Sequence, residues 1–294
     1  MSTGLPALSN LSVLSVLTAL SELSKLTNRD SFPAWLELTI WQKKCSSQNC
    51  RFPYSDTARI IRNMKTIRLI GDSVLKGFQY SLEKGRHVTD CSIDYERATG
   101  MNVENLGKFG CTVSKGLEYT RRVFEKNPDC DWVLADFGGN DSDFNWAEIA
   151  ANPYIAHDPK TVISVFYLDY CALVRHVQEY GSRIVLTTLP PLYSAGYIDW
   201  TSKTQNLDRN GIMTWLNGDI ERVRVYHYLY SEMVKTVSRD CGVPLIDLRS
   251  AFEAAGKPSE LMGPDGIHPN EKGQKIIEAC IERFFRSQCN ITAQ

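Results

Sequence analysis

Charge of one sign is what this 294-residue chain lacks most clearly: 33 basic and 34 acidic residues leave a formal net charge of −1. That balance excludes the electrostatic footprint of a nucleic-acid or anionic-membrane binder, and no Lys/Arg-rich tract supplies one locally. No CxxC pair occurs among the nine cysteines, at 45, 50, 91, 111, 130, 171, 241, 280 and 289. Cys45 and Cys50 lack a second ligand pair, which argues against zinc. Free thiols in a reducing compartment are expected, with a Cys45–Cys50 disulfide as the alternative. GxxxxGK[ST] and GxGxxG are both missing, and with them the usual phosphate-cradling loops. No internal repeat is present, and no apolar run is long and pure enough to span a bilayer.

The start of the chain, "LSNLSVLSVLTALSELSKL", has Leu at every third position from 8 to 26. Ser interrupts it throughout and the first Lys is Lys25, unlike a secretory leader. We expect an N-terminal helical extension over 1–60, amphipathic, docked on the body or forming a homo-oligomer through that helix, and one domain over 61–294. A cytoplasmic protein is expected. Asn140-Asp141-Ser142 is also a glycosylation sequon, and a eukaryotic secretory route would burden Asn140, which stands at a strand end where ligands bind.

From residue 64 onward, short apolar runs alternate with longer helical patterns. Strands are expected at "TIRLIG" (66–71), "NVENLGKFG" (102–110), "DWVLADFGGN" (131–140), "RIVLTTLPP" (183–191) and "VPLIDLR" (243–249). Helices are expected at 74–84, 114–126, 161–181, 220–242 and 271–285. Strands joined by helical crossovers make a parallel sheet with helices on both faces, and such sheets bind ligands beyond the carboxyl ends of their strands.

The residues standing there are few and specific. Gly71-Asp72-Ser73 follows the first strand: Ser73 is either a helix cap or a nucleophile at a helix N-terminus. Gly107 and Gly110 follow the second, where a tight turn exposes a backbone N–H. Gly138-Gly139-Asn140-Asp141 follows the third and offers a side-chain amide; an ordinary turn is the alternative. Asp265 and His268 precede the final helix, three apart, so that a carboxylate can orient an imidazole. Each junction alone is weak. Together they supply a nucleophile, a base, an orienter and oxyanion donors.

At these residues the sequence resembles the SGNH (GDSL-type) hydrolases: Gly71-Asp72-Ser73, Gly110, Gly138-x-Asn140-Asp141 and Asp265-x-x-His268 stand in order over roughly 64–287. "FGGNDSDFNW", "TTLPPL" and "DGIHPNEKG" look most like bacterial members. The resemblance implies a three-layer α/β/α sandwich with a mostly parallel, flavodoxin-like sheet. It implies Ser73 as nucleophile, His268 as base and Asp265 as its orienter. The oxyanion hole would be the Ser73 N–H, the Gly110 N–H and the Asn140 amide. Gly110 is preferred to Gly107 because Cys111-Thr112 follows it as in the family's block. No metal or organic cofactor is implied, and the partner is a small-molecule ester.

Two segments after strands carry aromatics: Phe144, Trp146 and Tyr154 in 141–160, and Tyr193, Tyr197, Trp200 and Trp215 in 192–218. We expect Asp141, Phe144, Trp146, Tyr193 and Trp200 at the substrate. An O-acetyl or short-chain ester, preferably on a carbohydrate, is the expected substrate. A short-chain thioesterase or lysophospholipase-like acyl hydrolase is the alternative, and a non-catalytic ligand-binding protein of the same fold is the third.

Overall fold

The computed structural model describes residues 65–81, 83–89 and 93–291. The expected extension over 1–60 and the Cys45–Cys50 pair lie outside the described residues. Strands are β1 (Thr66–Gly71), β2 (Gln79–Ser81), β3 (Arg86–Val88), β4 (Asn102–Asn105), β5 (Trp132–Asp136), β6 (Arg183–Thr187) and β7 (Leu245–Ile246). Helices are α1 (Tyr95–Thr99), α2 (Val113–Lys126), α3 (Trp146–Ala151), α4 (Ile163–Glu179), α5 (Ser194–Thr204), α6 (Arg209–Trp215), α7 (Arg222–Cys241), α8 (Leu248–Ala255), α9 (Pro258–Leu261) and α10 (Glu271–Ile291).

Five strands form one parallel sheet in the order β4-β1-β5-β6-β7. Numbered within that sheet the order is 2-1-3-4-5, the flavodoxin-like doubly wound arrangement. Its switch point lies between β1 and β5, which pair directly, Leu69 opposite Leu134 and Gly71 opposite Asp136. Residues leaving these two strands therefore emerge side by side.

The central strands β1, β5 and β6 are buried along nearly their whole length because helices cover both faces, whereas the edge strand β4, Asn-Val-Glu-Asn, is largely polar. On one face Ile70, Val133, Ala135 and Leu186 pack against α2, α4 and α7. On the other Ile67, Leu69, Leu134 and Val185 pack against α1, α8 and α10. A third cluster, separate from both, joins Phe144, Trp146, Ile149, Ile198, Ile212 and Leu216. It unites α3, α5 and α6 into a cap over the carboxyl ends of the strands. The two aromatic-bearing segments 141–160 and 192–218, for which no helix was expected, are thus partly helical. Asn145 and Asp208 start α3 and α6 by accepting the backbone N–H of Glu148 and Asn210.

The expected helix over 74–84 is absent. One turn follows Ser73, with Lys76 N–H donating to Asp72 O and Phe78 N–H to Ser73 O. Gly77 then takes φ 80° and ends it. The chain enters an antiparallel hairpin, β2 and β3, with Tyr80 opposite His87. The strand expected over 243–249 is only β7, because Asp247 accepts the Ser250 N–H and opens α8. Among the described residues no helix is long and apolar enough to cross a membrane. Cys111, Cys130, Cys171, Cys241 and Cys280 are free thiols.

Candidate active site

Ser73 sits on the single turn that leaves β1. Its Oγ lies 2.8 Å from His268 Nε2, although the two residues are 195 positions apart. His268 Nδ1 lies 2.7 Å from Asp265 Oδ2. Burial alone would push the Asp265 carboxyl up, but bonds and charge from His268, a bond from His87 and the His268 N–H hold it well below the ordinary carboxylate range. An ionised carboxylate only accepts, so the proton of His268 is on Nδ1 and Nε2 presents a lone pair to the serine hydroxyl.

The turn carrying this pair is built by its own backbone. Asp265 Oδ1 accepts the N–H of Ile267 at 3.1 Å and of His268 at 3.0 Å. Gly266 takes φ 70°, and a Cβ there would stand 2.3 Å from Tyr197 N and 2.4 Å from Tyr193 O. Only glycine fits between this turn and α5. Asn270 closes the segment by accepting from Lys272 and Gly273 at the start of α10.

Asn140 follows β5. Its Nδ2 donates to Asp72 Oδ2 at 3.0 Å, and Asp72 Oδ1 accepts the Val74 N–H at 2.8 Å. Asp72 thus braces the serine turn against the amide beside it. Burial and then the neighbouring Asp136 push the Asp72 carboxyl up to about 8; burial takes Asp136 up to about 6 despite its bond from Thr187. Of the two glycines after β4, Gly107 is buried against Asp72 O, where a Cβ would stand at 3.0 Å. Gly110 takes φ 62° in an exposed turn just before α2.

Asp141 does not reach the substrate space as expected. It is fully buried and accepts the Val113 N–H at 3.0 Å, capping α2 where the Thr112 side chain makes no cap bond. Tyr154 is 89% exposed, and Tyr193 packs into the core beneath the sheet. Phe144 and Trp146 do line the cleft that opens at Ser73, together with Leu189, Leu192 and Tyr197. The cleft encloses about 740 Å³ including its solvent-open mouth. Asp143 ties its floor together, accepting from Trp146 Nε1 at 2.8 Å, from Lys160 Nζ at 2.6 Å and from the Tyr197 hydroxyl. His227 also lines it, its Nδ1 accepting from Arg249. Burial, then the Arg249 charge, holds that imidazole far below its usual range, hence neutral with its proton on Nε2.

The sequence from residue 69 to 276 matches the model of the GDSL-like Lipase/Acylhydrolase family. The chain belongs to that family. A GDSL esterase/lipase of Arabidopsis thaliana, CPRD49, is 24% identical over 184 residues, which are 61% of this chain and 64% of that protein. The match therefore spans less than two thirds of the relative's length. The crystal structure of a lipase/acylhydrolase from Enterococcus faecalis superposes with a TM-score of 0.54 at 18% identity, over 76% of this chain and 97% of its own. An alpha/beta hydrolase enzyme from the metagenome of Lake Arreo, Spain, gives 0.50 at 17%, over 76% and 95%. At these identities the two structures establish the shared fold. Ser73, Asn140, Asp265 and His268 all lie within the matched residues 69–276.

His87, on β3, was not among the expected site residues. Its Nε2 lies 2.5 Å from the same Asp265 oxygen that pairs with His268. A lone histidine just beyond the stretch expected as a helix carries no signal for this, and only the hairpin brings it there. His87, Asp265 and His268 offer ligand atoms within 4.8 Å of one another, the donor set of a divalent metal. Both imidazole nitrogens are already hydrogen-bonded to the carboxylate, so a metal there would have to displace the Asp265–His268 bond. Trp200 meets this group edge-on at His87, 5.4 Å between ring centroids.

Proposed function

We propose that this protein hydrolyses esters of short acyl groups, O-acetyl esters foremost, through an acyl-enzyme on Ser73. The observation that carries the proposal is the hydroxyl–imidazole–carboxylate chain of 2.8 and 2.7 Å at the mouth of an aromatic cleft. In this mechanism Ser73 Oγ attacks the ester carbonyl and His268 Nε2 takes its proton. The imidazolium that results lies against ionised Asp265. The tetrahedral oxyanion is held by the Ser73 N–H, the Gly110 N–H and the Asn140 amide, which Asp72 keeps oriented. His268 then returns the proton to the departing alcohol. Water, deprotonated by the same nitrogen, attacks the acyl-serine and frees the acid.

A short acyl group suits a cleft floored by Phe144, Trp146 and Tyr197, each less than 7% exposed, with Trp146 and Tyr197 tied together through Asp143. Acetylated carbohydrate remains the preferred alcohol portion.

The test is a fluorophosphonate probe together with p-nitrophenyl esters of increasing acyl length and acetylated sugars. The wild type should label and release nitrophenol from the acetate. Ser73→Ala should do neither while its melting temperature is unchanged. Asn140→Ala should lower kcat by about 10²–10³ with a smaller change in KM, the loss typical of one oxyanion donor. A Ser73→Ala protein that turns over normally ends the proposal.

A further inference from the structure

We infer that His87 is a positioning residue of the triad, locking the carboxylate of Asp265 in the orientation that serves His268. This rests on the hydrolase proposal above and adds a fourth member to its site.

Asp265 Oδ1 is held by two N–H groups of its own turn. Oδ2 has no such backbone anchor: its partners are two imidazoles, His268 at 2.7 Å and His87 at 2.5 Å. A carboxylate oxygen has two acceptor lobes, and here both are filled. Without His87, the imidazole that moves protons would be Oδ2's single imidazole partner. With His87, Oδ2 is fixed from a second direction by a group that takes no part in the proton transfer. His87 must carry a proton on Nε2 to donate to this oxygen.

The His87 ring is itself constrained. It stacks on Phe78 at 4.7 Å with planes 10° apart, and it meets Tyr80 at 5.2 Å and Trp200 at 5.4 Å edge-on. Phe78 also touches the His268 ring edge-on at 4.8 Å. Two three-residue strands make a weak hairpin by themselves. Ring packing therefore sets where His87 sits, and through Trp200 that packing reaches α5 of the cap. The hairpin becomes a clasp on the carboxylate.

Two substitutions separate donor from ring. His87→Phe keeps a flat aromatic between Phe78 and Trp200 but removes the N–H. His87→Gln loses the ring but places an amide N–H near the position of Nε2. The inference expects His87→Phe to lower kcat at least tenfold with KM changed less than threefold, and His87→Gln to recover kcat to within threefold of wild type. Equal losses in both variants, wild-type rates in both, or an effect confined to KM would overturn it.

A second readout does not depend on turnover. The His268 Nδ1 proton, shared with a fixed carboxylate, should give a far-downfield proton NMR resonance in the wild type and in His87→Gln. It should be broadened or lost in His87→Phe, and its unchanged persistence there overturns the inference. If the wild type neither labels with fluorophosphonate nor cleaves any ester, the hydrolase proposal fails instead, and the resonance still decides the role of His87.

Discussion

Asp72 uses both of its oxygens within the site, one on the Val74 N–H and one on the Asn140 amide, and it does so while buried beside Asp136. Its value of about 8, against an ordinary 3.8, has a direct consequence for stability. A carboxyl whose value is raised on folding favours the folded state fully below its unfolded value, and that advantage is lost as pH rises through the folded value. Thermal midpoints should therefore fall between about pH 4 and pH 8 in the wild type. Asp72→Asn should flatten this fall above pH 6, leaving the smaller fall between about pH 4 and pH 6 that Asp136 and Asp141 contribute. An identical slope in both proteins would show that Asp72 does not titrate in this window. At this scale the sequence was legible where function and strand ends coincide: Ser73, Asn140, Asp265 and His268 each stand just past a strand or just before the last helix. Asp141 was misjudged because a carboxylate one residue from a functional amide looks equally like a ligand-binding group and a cap. Burial decides between them, and burial is not written locally.

Among the elements, α2 shows that cap at work. Thr112 occupies its N-cap position without a side-chain bond, and Asp141, 28 residues away, accepts the Val113 N–H instead. Asp141→Ala should cost about 1–2 kcal/mol in urea unfolding, the range for losing an N-cap acceptor. Its kcat should fall far less than that of Asn140→Ala, since the amide keeps its own tie to Asp72. The long elements were readable because their apolar spacing is sustained: β1, β5, β6, α2, α4 and α7 lie within a few residues of expectation. The hairpin was not, because "VLKGFQYSLEK" has helical spacing and its break depends on the backbone at Gly77. The short helices α3, α5 and α6 owe their form to packing on one another, which no window of sequence contains.

For the molecule as a whole, the chemistry and the pocket stand on different foundations. The hydrogen-bonded chain of Ser73, His268 and Asp265 hangs from the sheet and from the turn before α10, whereas the floor of the cleft belongs to the third cluster in the cap. Pocket depth should therefore be adjustable without loss of the nucleophile. Phe144→Ala should raise kcat/KM for hexanoyl relative to acetyl nitrophenyl ester by about tenfold, roughly what one or two accommodated methylenes provide. Fluorophosphonate labelling should continue. An unchanged acyl-length profile would place the acyl group elsewhere. The parallel sheet was foreseeable from alternation, and its flavodoxin-like arrangement from the family resemblance. The cap was not, because its members come from two separated crossovers that only the fold brings together.

The fit of Gly266 between Tyr193 and Tyr197 limits how freely that cap can be exchanged. Tyr193 donates its N–H to Gly266 O at 2.9 Å, and no side chain fits at the contact. A graft that replaces 192–218 with the corresponding piece of another hydrolase would bring a foreign surface against the histidine's turn. The unit to transplant is the cap together with residues 263–269, two stretches some fifty positions apart in the chain that behave as one part in engineering.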